Sequence, residues 1–393
     1  MLDCGWDSQF NRETLEPLEA IAPTVDAVLV SFPDLSHMGA LPYAQKHLGL
    51  TAPVYATMPV SRMGRLFLED AWLSYRGKRG GRFFTMPDVM ACVQNIHALK
   101  YSQTVDLNVS TRRSREGEGE GKAGGEGRIT VTPFMAGRMI GGTFWSIMRE
   151  DEELIYAVEY NNRKEQHLNR FTLETVSKPS VLITDAYNIT TEASMKRADL
   201  DRSLYNGLKL TFQRGGDILI PVDPAGRILE ILLCLHRFWR KMKISTPIIV
   251  LSHVGSMAVE AAQSQVEWLS SKLRNASMTE RPYHFHPSEI CLIQSPSELD
   301  GLPAPRVILA TDAFMTGGFS QHIMTKIAAN PRNLLLLTQR GPKGTPSYQL
   351  SQSPTPRVVN VVKRRMVPMT RLEIEEAKIQ EERKKKEKAK EKE

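Results

Sequence analysis

Apolar runs alternate with amphipathic segments along the first 75 residues. The apolar, β-branched run at residues 26–32 predicts a buried strand, and residues 53–57 predict a second one. Between and after them, the spacing of apolar positions predicts helices over 39–48 and 59–75. This order of strand, helix, strand and helix is typical of a layered α/β domain.

The next stretch changes to the two-residue alternation of a half-buried sheet. Strands are predicted at residues 105–109, 129–134, 142–149 and 153–160, with a hairpin joining the first two. The connection at 110–128 repeats Glu-Gly and contains one alanine as its only apolar residue. Because such a segment cannot bury a core, it is predicted to be a disordered loop.

Residues 200–338 return to the β/α alternation of an open, mostly parallel sheet. Strands are predicted at residues 181–184, 217–222, 247–252, 306–310 and 333–338, and helices at 198–214, 226–241 and 258–274. The last 23 residues, 371–393, hold 9 basic and 8 acidic side chains and almost no apolar ones. They are predicted to form a charged helical or disordered linker.

Charge and composition indicate which classes of partner the chain can have. The chain has 393 residues and a net charge of +7, of which only +1 lies in the charged tail, so the rest is basic enough to contact a polyanion. Its four cysteines form no Cys-x-x-Cys pair and predict no disulfide framework. No apolar run reaches the length of about 18 residues that a transmembrane helix needs, so no membrane partner is expected.

The segment from Val28 to Tyr43 contains the first group of candidate metal-binding positions. It reads VLVSFPDLSHMGALPY and resembles the metal-binding loop of the metallo-β-lactamase superfamily, His-x-His-x-Asp-His before Gly-Ala-Leu-Pro. The four ligand positions hold Phe32, Asp34, Ser36 and His37, so only the last keeps its family identity. A phenyl ring has no lone pair and a serine hydroxyl is a weak neutral ligand, so the resemblance implies a degenerate metal site.

Further motifs follow in the order of that superfamily. Asp3 lies in Leu-Asp-Cys-Gly-Trp-Asp, Arg138 stands where another ligand histidine is expected, and Glu159 stands where a bridging aspartate is expected. Asp185, after Leu-Ile-Thr, resembles the acidic motif that opens the β-CASP domain of nucleic-acid-processing members. The resemblance implies an incomplete metallo-β-lactamase αββα sandwich over residues 1–180, its first strands missing, and an incomplete inserted β-CASP α/β domain over 181–370. The chain therefore resembles a fragment.

Arg138 is the strongest argument against a metal. A guanidinium cannot coordinate a cation and adds positive charge where two ions would lie. One hypothesis is that it pairs with Asp3, Asp34 and Glu159 as a substitute for the metal charge; the alternative is that it points to solvent. The resemblance thus implies a pseudo-enzyme with no catalytic residue, no metal and no cofactor.

The resemblance also implies a function and partners. The expected role is a non-catalytic subunit of the nuclear machinery that cleaves and polyadenylates pre-mRNA, paired with an active 73-kDa endonuclease of the same fold, with symplekin and with other subunits of that machinery. Pre-mRNA itself is a candidate partner, through a short Arg/Gly segment that contains Arg76, Lys78, Arg79 and Arg82. Two alternatives stay open: a hydrolase that holds one ion through Asp3, Asp34, His37 and Glu159, and an inactive subunit of the Integrator complex.

Overall fold

The computed structural model describes residues 1–75, 83–107, 128–171, 178–186, 197–279, 290–356 and 358–361. Its first part contains two sheets. The smaller one is parallel, in the order β1 (Val28–Leu29), β2 (Val54–Thr57) and β3 (Ile96–Leu99). The larger one runs β4 (Val105–Leu107), β5 (Ile129–Met135), β6 (Thr143–Arg149), β7 (Glu152–Ala157) and β8 (Val181–Thr184), antiparallel except for the β7–β8 pair.

The two sheets pack face to face. Leu29 and Leu99 from the small sheet contact Val131 and Trp145 from the large one, and all four are buried. A separate apolar cluster covers the outer face of the small sheet with helices. These helices are α1 (Glu16–Ile21), α2 (Leu35–Met38), α3 (Leu41–His47), α4 (Met58–Tyr75) and α5 (Met86–Gln94).

The second part is a five-stranded parallel sheet with helices on both faces. Its order is β11 (Ile290–Ile293), β10 (Ile248–Leu251), β12 (Val307–Ala310), β9 (Ile218–Pro221) and β13 (Leu334–Leu335). The helices are α6 (Arg197–Gln213), α7 (Arg227–Met242), α8 (Gly255–Gln263), α9 (Ser271–Thr279), α10 (Gly318–Ile327) and α11 (Pro346–Leu350). Parallel strands covered on both sides are apolar at every position, which is why they read as continuous runs.

Alternate residues of each strand enter different cores. Ile218 and Ile220 of β9 join a cluster that includes α7, whereas Leu219 packs against Ile323 of α10 on the other face. The α7 cluster also contains Phe32, Ile155 and other residues of the first part, so the two parts share one continuous apolar core. The predicted β/α alternation and mostly parallel sheet are confirmed.

Several predicted boundaries are wrong. The helix predicted over 258–274 is two helices, α8 and α9, separated by a 3-10 turn at Val266–Trp268. It breaks because the backbone N–H of Ser270 donates instead to the carbonyl of His167, at 2.8 Å. The strand predicted over 26–32 pairs only at Val28–Leu29, and the strand predicted at 333–338 pairs only at Leu334–Leu335. Helices α5 and α10 and strands β3 and β11 were not predicted.

Strand β8 was predicted, but it lies in a different unit from the one expected. The domain prediction begins the second unit at residue 181, whereas Leu154–Ala157 of β7 pairs with Val181–Thr184 in the sheet of the first part. None of the helices in the described ranges is long and apolar enough to cross a membrane.

Candidate functional site: a degenerate metal centre

The site is built where three loops leave the facing sheets. Phe32 and Asp34 follow β1, Arg138 lies between β5 and β6, and Glu159 follows β7. Asp3 joins them because Leu2 forms a parallel bridge to Leu29 at the edge of β1. The structure therefore brings together residues that are up to 156 positions apart in the chain.

Three of these residues adopt left-handed backbone conformations, with φ of 57° at Asp3, 63° at Arg138 and 49° at Glu159. Non-glycine residues in this region are uncommon, and each costs on the order of 1 kcal/mol of backbone strain. Residues with such strain persist only where the surrounding structure fixes their conformation, and they are concentrated at functional sites. The loop geometry of a ligand-binding centre is thus present although the ligands have changed.

Arg138 lies in the centre of the acidic groups. Its guanidinium is in direct contact with the Glu159 carboxylate, and its Nη1 lies 3.9 Å from Asp34 Oδ2. The three side chains are 18%, 21% and 13% exposed, respectively, so the pairing is largely desolvated. Among the described residues, no ion pair joins Arg138 to Asp3, which the pairing hypothesis had included.

The Asp3 carboxylate accepts hydrogen bonds from neutral groups instead of pairing with Arg138. Its Oδ1 accepts a hydrogen bond from the Ser31 backbone N–H at 2.7 Å, and its Oδ2 accepts one from the Tyr156 hydroxyl at 2.7 Å. Burial raises the pKa of Asp3, an effect that the charge of His37 partly opposes. Asp3 therefore ties the chain start to β7.

His37 is held by Asp34 rather than left open toward a cation. Its Nδ1 lies 2.5 Å from Asp34 Oδ1, one helical turn away on α2. Burial alone would raise the pKa of Asp34, but the charges of His37 and Arg138 outweigh it and hold that pKa below its usual value. Burial alone would lower the pKa of His37, but its interaction with Asp34 prevails and raises it. Both groups are thereby favoured in their charged forms.

Phe32 and Ser36 occupy the other ligand positions without supplying donors to the cluster. Phe32 is fully buried, its ring centroid is 5.0 Å from that of His37, and the guanidinium carbon of Arg138 lies 5.7 Å from its centre. This distance fits a cation–π contact. Ser36 is exposed on α2.

The donor set does not fit a two-metal centre. Asp34, His37 and Glu159 each offer one atom within 4.8 Å of the others, enough in principle for one cation. However, the Arg138 guanidinium together with the charged His37 already compensates the two carboxylates, and a cation there would be placed against a fixed positive charge. The Nδ1 of His37 is also engaged by Asp34.

Asp185 lies at the edge of this cluster. Its carboxylate accepts a hydrogen bond from the backbone N–H of Glu159. The end of β8 thus supports the left-handed turn that presents Glu159 to Arg138. Arg76, Lys78, Arg79, Arg82 and the linker at 371–393 lie outside the described residues, as does the predicted loop except for Arg128.

The cluster opens into a cleft of about 710 Å³ between the two parts of the molecule. The first part contributes Asp34, Ser36, Arg138 and Glu159 to its walls, and the second contributes Asp223, Asp312, Arg340 and Lys343. Sequence reasoning missed this second wall. The available signal was an aspartate two residues after the end of each of two parallel strands, β9 and β12, where ligand sites of open sheets lie.

Burial perturbs the acids of the second wall. Burial raises the pKa of Asp312 and of Asp223, although Asp312 accepts hydrogen bonds from the backbone N–H groups of Phe314, Thr316 and Gly317. Burial, with a smaller contribution from the Asp312 charge, raises the pKa of Asp70 on α4 to about 7. Asp70, Asp223 and Asp312 line the same cleft as Arg138.

A second buried cluster joins the two parts away from the cleft. His167 Nδ1 lies 2.8 Å from Glu230 Oε2 and 3.5 Å from Glu165 Oε2, and the three groups offer donors within 4.8 Å of each other. Arg227 Nη1 contacts Glu165 at 2.5 Å, and Glu230 also accepts the backbone N–H groups of Gln166 and His167. Because Arg227 and these donors compensate the carboxylates, the cluster is a structural charge network.

Comparison with known proteins matches this architecture. A family model described as a metallo-beta-lactamase superfamily domain matches residues 1–187, and one described as a Beta-Casp domain matches 228–350. Proteins named cleavage and polyadenylation specificity factor subunit 2 are 40% identical over 375 residues in Arabidopsis thaliana and over 390 residues in Oryza sativa subsp. japonica. These alignments cover 95% and 99% of this chain but 49% and 51% of those proteins.

A more distant relative is the protein of Schizosaccharomyces pombe named cleavage factor two protein 2, which is 33% identical over 80% of this chain and 38% of its own length. The chain thus spans about half the length of the first curated relatives it matches. The fold class and family expected from the motifs are confirmed. The chain thus combines a metallo-β-lactamase superfamily domain with a β-CASP domain.

Proposed function

We propose that this chain is the inactive nuclease-like part of a non-catalytic subunit in the nuclear complex that cleaves and polyadenylates pre-mRNA. The observation that supports it is the contact of Arg138 with Glu159 and its approach to Asp34, at the positions where the superfamily holds metal ions. With that cationic side chain in place, the protein lacks the metal-bound water that hydrolysis in this family requires.

The names of the relatives support the choice of complex. The relatives from Arabidopsis thaliana and Oryza sativa subsp. japonica are named as subunit 2 of the cleavage and polyadenylation specificity factor, so other subunits of that factor are the proposed partners. The finer proposals are pairing with the 73-kDa endonuclease subunit and with symplekin, direct contact with pre-mRNA, and location in the nucleus. A first unit that includes β8, a second unit that follows it and the linker at 371–393 belong to the same proposal.

Retention of the fold without the chemistry is physically reasonable. Binding surfaces are formed by the outside of the sheets and helices, and they persist when the ligand loop changes. In this proposal the chain contributes architecture, and the companion endonuclease supplies hydrolysis.

The primary test is metal content with activity. Zinc and manganese are measured by elemental analysis on the purified chain, with RNA cleavage assayed in the presence and absence of EDTA. We expect less than about 0.1 metal per chain and no EDTA-sensitive cleavage, since a catalytic zinc site needs about three protein ligands and an open position. One or two chelatable metals with cleavage would refute the inactive reading and favour the ion site of Asp34, His37 and Glu159.

The scaffold part has a separate test. Tagged full-length protein is purified from nuclear extract, and bound subunits are identified by mass spectrometry. We expect the 73-kDa endonuclease and symplekin; recovery of Integrator subunits instead would refute the choice of complex without touching the metal result.

A further inference from the structure

Helices α6 and α7 form a basic groove on the second part of the molecule. The groove has a volume of about 580 Å³ and is separate from the cleft, because the two share no lining residue. Arg202 and Lys209 of α6 line one wall, and Arg237 and Lys241 of α7 line the other. Among the described residues that line it, one acid, Asp201, accompanies these four cations.

The charge of this helix pair is unusual for the chain. Helices α6 and α7 together contain seven basic and three acidic side chains, an excess of four positive charges, while the whole chain has a net charge of +7. The basic side chains are accessible: Arg202, which pairs with Asp199 at 3.0 Å, is 70% exposed, and Arg237 is 52% exposed. Lys209 and Lys241 are also exposed. Opposite rows of cations across one groove favour a linear polyanion.

An aromatic ring distinguishes the groove from a merely basic surface. The half-buried ring of Tyr205 stacks on Phe238, with centroids 4.4 Å apart and an angle of 12° between the planes. Its hydroxyl accepts a hydrogen bond from Arg237 Nη2 at 3.0 Å, and the same nitrogen contacts Asp201 at 2.5 Å. The groove wall therefore presents a fixed ring and an oriented guanidinium, two groups on which nucleic-acid bases stack.

We propose that the α6–α7 groove binds single-stranded RNA, with Arg202, Lys209 and Lys241 contacting phosphates and Tyr205 and Arg237 contacting a base. An acidic protein segment would satisfy the cations but would leave the ring unused, so RNA fits more of the site. The inference rests on the proposed contact with pre-mRNA and assigns that contact to one groove, and its test is independent of metal content and of partner capture.

The test measures affinity against salt for the whole chain. A fluorescent oligouridine of about 20 nucleotides, longer than one binding site, is titrated by fluorescence polarisation at several salt concentrations. The groove variant is Lys209→Gln with Lys241→Gln. The control is Lys272→Gln with Lys326→Gln, which removes two exposed lysines from α9 and α10. Thermal unfolding verifies that both variants fold.

Each phosphate contact on a single strand contributes about 0.7 to the slope of log affinity against log salt. We therefore expect the groove variant to lower that slope by about 1.4 and to bind about tenfold more weakly at physiological salt, while the control stays near wild type. Absence of RNA binding by the wild type, equal weakening by both variants, or displacement of RNA by polyglutamate at equal charge would each overturn the proposal.

Discussion

Replacing Arg138 by alanine tests whether its charge holds the degenerate centre together. The change leaves the carboxylates of Glu159 and Asp34 facing each other in a largely desolvated site. Removing one partner of a buried pair costs about 3–5 kcal/mol. Because these side chains retain 13% to 21% exposure, we expect the lower end, about 3 kcal/mol of unfolding free energy.

Thermal unfolding followed by circular dichroism is the assay. For a unit of 150–250 residues, each kcal/mol shifts the midpoint by roughly 2–4 °C, so the Arg138→Ala variant should melt about 6–12 °C lower. Arg163→Ala is the matched control, since Arg163 is exposed in the loop that follows Glu159 and its removal should change stability by less than about 0.5 kcal/mol.

The pH dependence gives the prediction a second readout. The pKa of Asp34 is held low in the folded protein, so its contribution is present above the unfolded value of about 3.9 and is lost as pH falls through the folded pKa. Arg138→Ala should therefore differ most from wild type near pH 7 and approach it below about pH 4. Adding Glu159→Gln to Arg138→Ala should recover part of the loss. A midpoint within 2 °C (roughly 1 kcal/mol) of wild type would refute the reasoning.

Three further predictions concern the supports of the site. Burial raises the pKa of Asp70 to about 7, so the free energy of unfolding falls as the pH rises from about 4 to 7. Asp70→Asn should remove this fall in urea titrations and raise the free energy of unfolding at pH 8 by about 2–4 kcal/mol. Gly5→Ala should lower the melting temperature strongly, because a Cβ would lie 1.7 Å from the Ser36 carbonyl oxygen, whereas Gly301→Ala, in open space, should not. Glu230→Ala should lower the free energy of unfolding, measured by chemical denaturation, by about 3 kcal/mol, because the buried His167 side chain and backbone N–H lose their contacts with Glu230. An unchanged midpoint would contradict the interpretation as a charge network.

Local patterns were enough for the elements that alternate regularly. The apolar runs of β9, β10 and β12 are short, β-branched and separated by amphipathic helices, so their sequence predicts a parallel sheet without knowledge of contacts. The break between α8 and α9 could not be predicted in this way. It depends on the carbonyl of His167, about 100 residues earlier in the chain, accepting the N–H of Ser270.

For the site as well, local sequence predicted some features, and tertiary packing decided the others. The family motifs alone predicted that five residues lie in one region, because each stands at a position where the superfamily has a metal ligand. These residues are Phe32, Asp34, His37, Arg138 and Glu159. It did not predict the partner of each group. Asp3 bonds to Ser31 and Tyr156 rather than to Arg138, a choice decided by how β1 and β7 approach each other. Asp70 and Asp312, which are 242 positions apart, meet only through packing of α4 against the second sheet.

An arginine in place of metal ligands changes what the centre can do for the fold. A metal would hold the three loops only while bound, and its loss would leave Asp34 and Glu159 repelling each other. The guanidinium of Arg138 is covalently attached and always charged, so the loops stay joined in every state of the protein. The strained turns at Arg138 and Glu159 are therefore kept by a permanent pair, and the surfaces formed by the surrounding sheets do not depend on metal supply. For the proposed subunit, whose task is to present surfaces to partners, an arginine pair keeps the loops joined without a metal.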